Sequence, residues 1–327
     1  MKFSHIEKAV SVLARNPPGL RMCPARDAAL LNIGRFLETQ TRAGQPLDLK
    51  KASAPLWPFI LRRLETAMDE AERADLAHDA VTAWQMYNSG VVVKTGDIII
   101  GLDVIPMPRF FGWEEPEGLT LRTAELLDVL LITHRHEDHY DKALVRACLD
   151  LGKPVLMPAS LAADWGHNIT LHGVEHGANM ELLDLQITCR QGFHIWRATM
   201  DELPLIYYEI ATPAGYTFIF SGDLDYTKVF EKTAGRDIDL LFIPWRNPNE
   251  RYENGRPEQI GSTLDAVKIA VKTAQPRAIL YEHYGELDHI YGGFSASYDM
   301  ALDLKRELAV PSELLFWGEH MALAPPD

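Results

Sequence analysis

The stretch Leu130–Asp141 reads "LLITHRHEDHYD", an apolar run followed by His134, His136, Asp138 and His139 in H-x-H-x-D-H spacing. Three of the chain's twelve histidines fall within these six residues. Imidazole and carboxylate together suit zinc, and also iron or manganese. In an extended stretch, residues two apart point the same way. His134 and His136 can therefore hold one ion. The chain then turns, and Asp138 with His139 can face a second ion nearby. The competing reading, a solvated loop rich in charge, sits poorly with so dense a cluster directly after an apolar strand.

Four ligands from one loop cannot complete two sites, so other strand ends must contribute, because a rigid strand places a loop residue well. Three residues meet this condition. His194 follows the alternating "LLDLQITCRQGF", Asp223 ends the apolar "YTFIFSGD", and His283 ends "RAILYEH". Taken singly each is weak: a lone histidine after a strand is more often a hydrogen-bonded surface residue, and "SGD" more often a turn. The joint pattern is what favours ligands. No G-x-S-x-G nucleophile elbow occurs in the sequence.

The elements that must position these residues change character along the chain. Residues 1–88 read as a helical N-terminal extension with breaks at "NPPG" and "GQP". Residues 89–327 form a second, β-rich domain in this reading, the one that carries the candidate ligands. "GVVVKTGDIIIGLDV" is two β-rich runs joined by a tight hairpin, "LLDVLLIT" is a short buried strand, and "DKALVRACLDLG" is a helix ending at Gly152. "LLDLQITCRQ" alternates like a single strand. Later strands alternate with helices through "TLDAVKIAVKTAQP" and "SYDMALDLKREL". Mixed sheets with helices outside are the expected α/β (α+β) architecture.

Hydrophobic residues make up 47% of the 327 residues and charged residues 24%, as in a globular protein with a sizeable core. Forty-six acidic against thirty-two basic residues leave a net charge of −14, which argues against a broad nucleic-acid footprint. Cys23, Cys148 and Cys189 are far apart and form no CxxC pair, the pattern of a reducing compartment and of small buried hydrophobes. The N-terminus lacks a signal-peptide pattern, and no run reaches the roughly 18 apolar residues of a membrane span. A cytoplasmic protein without stable membrane insertion is expected.

"GLDVIP", "LLITHRHEDHYD", "GFH", "FIFSGDLDY" and "ILYEHYG", in that order, resemble the metallo-β-lactamase fold superfamily of binuclear metal hydrolases. The resemblance spans residues 90 to 320, about 70% of the chain. It is most similar to the branch with the ascorbate-6-phosphate lactonases and the N-acyl phosphatidylethanolamine phospholipase D enzymes. It implies a four-layer αβ/βα sandwich of two mixed sheets. It implies a first ion on His134, His136 and His194, a second on Asp138, His139 and His283, and Asp223 bridging them. His167, His172 and His176 compete for the third-histidine role, but the family places that ligand after the alternating strand, where His194 lies. The cofactors implied are two divalent ions, zinc first, with manganese or iron as alternatives.

Two ions about 3.5–4 Å apart lower the pKa of a bridging water, so that hydroxide attacks an ester, lactone or phosphodiester of a small molecule. Asp138 would orient that hydroxide or accept its proton, and Tyr284, next to a ligand, would donate to an oxyanion. A related di-iron redox branch carries glutamate where this chain has His136, which favours hydrolysis. The nucleic-acid-cutting branch carries an inserted domain for which the sixty residues from Asp223 to His283 are too few.

Groups expected to orient the histidines are Asp103, Thr133 and Asp141. Substrate contacts are sought in "IPWRNPNERYENGRP", where Trp245, Arg246 and Asn247 could read a phosphate or carboxylate. The competing reading is a solvated loop. Trp196, Tyr226 and Tyr291 are wall candidates or core. Two alternatives stand beside a small-molecule hydrolase. One is a lipid phosphodiesterase with Trp57, Phe59 and Ile60 as an interfacial surface. The other is a non-catalytic metal-binding protein of the same fold. The N-terminal helices are expected to be a packing element, a homo-oligomer contact or a cap over the site.

Overall fold

The computed structural model describes residues 4–41, 56–77, 80–196, 201–224, 237–245, 252–253, 256–257, 263–285, 287 and 298–323. Three helices come first: α1 (Ser4–Arg15), α2 (Pro24–Thr41) and α3 (Trp57–Arg73). Then come the strands β1 (Val81–Gln85), β2 (Val91–Thr95) and β3 (Ile98–Leu102). Helix α4 (Leu119–Leu126) leads into β4 (Val129–Leu131), α5 (Lys142–Asp150), β5 (Val155–Pro158), the short α6 (Ala159–Ala162) and β6 (Leu171–Val174).

The second half begins with β7 (Asn179–Leu182), β8 (Leu185–Trp196), β9 (Asp201–Ala211), β10 (Thr217–Phe220) and β11 (Leu240–Pro244). A small ribbon, β12 (Tyr252–Glu253) with β13 (Arg256–Pro257), precedes α7 (Thr263–Ala274). The last elements are β14 (Ala278–Glu282), α8 (Tyr298–Glu307), β15 (Ser312–Leu314) and β16 (His320–Leu323).

The strands form two seven-stranded sheets, ordered β16-β1-β2-β3-β4-β5-β6 and β15-β14-β11-β10-β9-β8-β7. Each is mixed. In the first, β16 to β3 pair antiparallel and β3 to β6 parallel. In the second, β15 to β10 pair parallel and β10 to β7 antiparallel. The inner strands β2 and β3 are buried on both faces, and so "VVV" and "III" run without polar alternation. Val91, Val93, Ile100 and Leu102 pack between the sheets against Leu185, Tyr208 and Phe218. Val92 and Ile99 turn outward to the cluster that the helices complete. The result is the expected four-layer α/β sandwich.

The tertiary structure corrects the expected elements in three places. Residues read as continuing the N-terminal helices contain β1, which sits between β16 and β2. The sheet therefore starts inside the expected 1–88 extension. The "LLDLQITCRQ" run is a hairpin turned at Leu183 and Asp184, whose φ values of 52° and 61° suit a two-residue turn. Strands β6 and β16 pair at sheet edges where the sequence carries no strong strand signal.

Helices α1, α2 and α3 belong to the main core, in one cluster with residues of both sheets. Trp57 and Phe59 are 8% exposed and Ile60 is 0%. Trp57 stacks on Trp113 with ring centroids 4.8 Å apart. The expected interfacial surface of Trp57, Phe59 and Ile60 is thus turned inward, where burying three large side chains is worth roughly 1.5–3 kcal/mol each. Among the described residues, no helix is long and apolar enough to cross a membrane.

The cysteines differ in surroundings. Burial pushes the thiols of Cys148 and Cys189 up to about 12, while Cys23 is partly exposed. A thiol reagent at pH 8 is expected to label Cys23 alone in the native protein, and all three cysteines in denaturant. Rapid native labelling of three thiols would contradict this packing.

Candidate metal centre

The residues of the ligand loop are placed by what flanks them. β4 is buried and ends at Leu131. The chain then runs to Asp141, which caps α5: its Oδ1 accepts from the backbone N–H groups of Ala143 (2.8 Å) and Leu144 (3.0 Å). Its Oδ2 takes the Arg109 Nε–H at 2.6 Å. Asp141 therefore anchors the loop's exit, and both carboxylate oxygens are used away from the histidines, contrary to the orienting role expected for it.

Between strand and cap, side chains from three other strands, His194, Asp223 and His283, meet the loop. Nitrogen and oxygen atoms of His134, His136, His194 and Asp223 lie within 4.8 Å of one another, as do those of Asp138, His139 and His283. His194 Nε2 is 3.1 Å from His136 Nδ1 and 3.3 Å from Asp223 Oδ2. His283 Nε2 is 3.0 Å from Asp223 Oδ1. His139 Nε2 is 3.6 Å from both Asp138 Oδ2 and Asp223 Oδ2. Asp223 thus stands between the two groups with one oxygen nearest each. Donors at zinc–nitrogen distances of 2.0–2.1 Å in a tetrahedron are about 3.4 Å apart, so these separations suit ligands around a shared cation.

The approach of Asp223 depends on Gly222. Its φ is 50°, and a Cβ there would lie 2.6 Å from Thr133 Oγ1. Only glycine lets the end of β10 come so close to the end of β4.

Thr133 and Asp103 fix the imidazoles from behind. Asp103 is fully buried and accepts from Thr133 N–H at 2.7 Å and from Thr133 Oγ1–H at 2.6 Å. With its one hydrogen committed to a carboxylate, the Thr133 hydroxyl accepts from His134 Nδ1 at 2.9 Å. His134 then carries its hydrogen on Nδ1 and leaves Nε2 bare. His139 Nδ1 donates to Asp103 Oδ2 at 2.7 Å, with Ser89 Oγ 3.0 Å away. His134 Nε2 and His139 Nε2 are both buried and make no hydrogen bond to the described residues. Such orphaned nitrogens are costly unless a cation takes them.

Electrostatics favour neutral imidazoles at His134 and His136 and positive charge around His139. Burial, reinforced by the neighbouring imidazoles, holds His134 well below the usual histidine range and His136 at about 4, so both are neutral near pH 7, as ligation requires. Burial alone would lower His139, but Asp138, Asp223 and Asp103 outweigh it and raise it well above the usual range. Asp223 would be raised by burial, yet His283, His139 and His194 hold it well below the carboxylate range. The pocket is built for positive charge. Next to it, burial pushes Glu282 up to about 8.

The rival histidines stay outside both groups. His167 and His176 are exposed, His176 Nδ1 accepts from Gln191 N–H at 3.2 Å, and His172 is half-buried on β6. Two other expectations are corrected. Tyr284 is buried and donates its single O–H to the Leu30 carbonyl at 2.7 Å, so it is not poised for an oxyanion. Trp245 is buried and donates its indole N–H to the His283 carbonyl at 2.8 Å, so it stands behind a candidate ligand and not in the substrate-reading position expected for it. Arg246, Asn247, Tyr226 and Tyr291 lie outside the described residues, as does the side chain of Trp196.

Ser89 was not singled out from the sequence. Its signal is slight, the "NSG" turn that follows β1. A cavity of about 690 Å³ lies on the side of the ligand loop lined by Arg135 and Glu137, with Arg109, Tyr140 and Lys142.

Comparison with known proteins bears on the same region. A family model described as a beta-lactamase superfamily domain matches residues 106–284, slightly more than half of the chain. A UPF0173 protein of Pyrococcus abyssi (strain GE5 / Orsay) is 29% identical over 191 residues, which cover 56% of this chain and 75% of that protein. Igni18, a metallo hydrolase from the archaeon Ignicoccus hospitalis, superposes with a TM-score of 0.54 at 17% identity, covering 75% of this chain and 99% of that one. CmlA, a diiron β-hydroxylase from Streptomyces venezuelae, superposes with a TM-score of 0.50 at 14% identity, covering 76% of this chain and 54% of that one. At such identities the structural matches speak to the fold.

Proposed function

The chain belongs to the beta-lactamase superfamily and carries a histidine–aspartate cluster fit for metal, and from this premise we propose that it is a hydrolase using two divalent ions. The first ion is assigned to His134, His136 and His194, the second to Asp138, His139 and His283, with Asp223 shared. The observation that carries this reading is the convergence of seven side chains in two groups, whose ligand atoms lie within 4.8 Å of one another in each, around the buried Nε2 atoms of His134 and His139, which make no hydrogen bond to the described residues. Zinc is the expected metal.

Bound divalent ions would supply Lewis acidity and a water acidic enough to deprotonate near pH 7. The chain's own residues supply the rest. Asp103 and Thr133 hold His134 and His139 in the tautomers that present Nε2. Asp138 is partly exposed beside the second group, where its carboxylate can orient a water and take its proton. Asp223 ties the two groups together. Tyr284 and Trp245 take no part in the bond-breaking step.

The proposed substrate is a small molecule with an ester, lactone or phosphodiester bond. Its test is a panel of all three classes on zinc-loaded protein. Turnover of one class is expected, lost on exhaustive chelation and restored by zinc. Full activity after chelation would remove the metal from the chemistry. Protein holding two ions with no turnover anywhere in the panel would favour the non-catalytic alternative.

A further inference from the structure

His283 sits in an unusual place for a ligand. Its φ is 61°, in the left-handed region, one residue beyond β14. Histidine enters that region more readily than most residues, but holding it there still costs on the order of 1–3 kcal/mol unless the surroundings enforce it. Here they do so on each side. The His283 carbonyl accepts from Trp245 Nε1–H at 2.8 Å, and its N–H donates to the Asn88 carbonyl at 3.3 Å. That Asn88 carbonyl also takes Gln85 Nε2–H at 2.7 Å.

The next residue, Tyr284, reaches across 254 positions of sequence to donate to Leu30 in α2 at 2.7 Å. Gly285 follows at φ 74°, and a Cβ there would meet the Trp317 ring at 2.7 Å and Leu37 of α2 at 3.4 Å. The corner is therefore pressed between β11 and the N-terminal helices. The imidazole so displayed is the one 3.0 Å from Asp223 Oδ1.

We propose that Trp245, Tyr284 and helix α2 are positioning elements that set the affinity of the second metal ion by clamping His283 in its left-handed conformation. The inference rests on the two-ion reading above. It gives the N-terminal helices a place in the metal chemistry although they supply no ligand, and it gives Trp245 a role other than substrate contact. Without the indole N–H the corner can relax toward an ordinary extended backbone, which swings the imidazole away from the site. The first ion, held by His134, His136 and His194, does not depend on this corner.

The experiment is a zinc titration of chelator-stripped full chain, followed by calorimetry and competition with a chromophoric chelator, with thermal melting of the metal-free protein in parallel. Trp245→Phe is expected to weaken one of the two zinc ions about 10–100-fold and to leave the other within about threefold. Tyr284→Phe should act on the same ion in the same direction. In a His283→Ala background, Trp245→Phe should have no further effect on the remaining ion, a coupling that general destabilisation would not produce.

If both zinc affinities in Trp245→Phe and Tyr284→Phe match a wild type that binds two ions, the clamp is overturned alone. If the wild type itself binds fewer than two ions, the two-ion reading falls and the clamp with it. Should Trp245→Phe not fold, Tyr284→Phe decides: an equal loss at both sites, or none, overturns the proposal.

Discussion

Asp223→Ala is expected to take the chain from two bound zinc ions to at most one and to remove its hydrolytic activity. The reasoning starts from the two oxygens. Oδ2 is 3.3 Å from His194 Nε2 and Oδ1 is 3.0 Å from His283 Nε2, so this one carboxylate meets a histidine of each group and brings negative charge to both. Its removal leaves buried imidazoles facing one another with less to attract a cation. The rate contribution of a bound cation is several kcal/mol, or on the order of 10³-fold in kcat. Metal analysis of the purified variant against wild type, with turnover of whichever substrate class the panel identifies, checks both parts. Two tightly held ions and unchanged turnover in Asp223→Ala would overturn the assignment. Asp223→Asn, which keeps shape and loses charge, should fall between the two.

Arg26→Ala is expected to destabilise the whole chain, not merely its first helices. Arg26 is 0% exposed and binds Glu319 through both terminal nitrogens at 2.9 and 2.5 Å. It also donates to the Leu314 carbonyl at 2.8 Å and lies 3.4 Å from Glu313. Lys305 joins the same network, 3.1 Å from both Asp27 and Glu313. Two cations and three carboxylates thus tie α2 to α8 and to the chain around β15, at the far end of the sequence. An intact buried network of this kind need not be stabilising in itself. Removing one member is different, because Glu319 would lose its bidentate partner while buried and Glu313 would keep only Lys305, at a cost of roughly 3–5 kcal/mol. For a chain of this size that corresponds to a fall in Tm of about 4–7 °C. Thermal unfolding should also stay a single transition, since α1 to α3 share one core with both sheets. A separate early transition, or a change under about 1 kcal/mol, would show that the helices form an independent extension.

Much of the candidate site was readable from local sequence because its proposed ligands are strand-end residues. The H-x-H-x-D-H loop is contiguous, and His194, Asp223 and His283 each follow an apolar β-rich run, so type and spacing alone nominated them. The strand periods of β2, β3, β10, β11 and β14 were equally plain, since burial on both faces writes an unbroken apolar run. Readings failed where the deciding partner is remote. Tyr284 beside a ligand looks like an oxyanion donor until Leu30, from the second helix, claims its hydroxyl. Trp245 looks like a substrate contact until the His283 carbonyl takes its indole. Asp141 looks like a support for imidazoles, yet it caps α5. Strand β1 reads as helix because its role comes from pairing with β16 and β2, the former more than two hundred residues away.

The sequence by itself therefore determined which residue types could hold cations, and that strand ends would carry them, because ligand chemistry and hydrophobic period are local properties. Only the tertiary structure decided which polar side chains face the site and which stand behind it. A hydrogen-bond donor has one direction at a time, and the acceptor that claims it lies at a distance along the chain that no local pattern encodes.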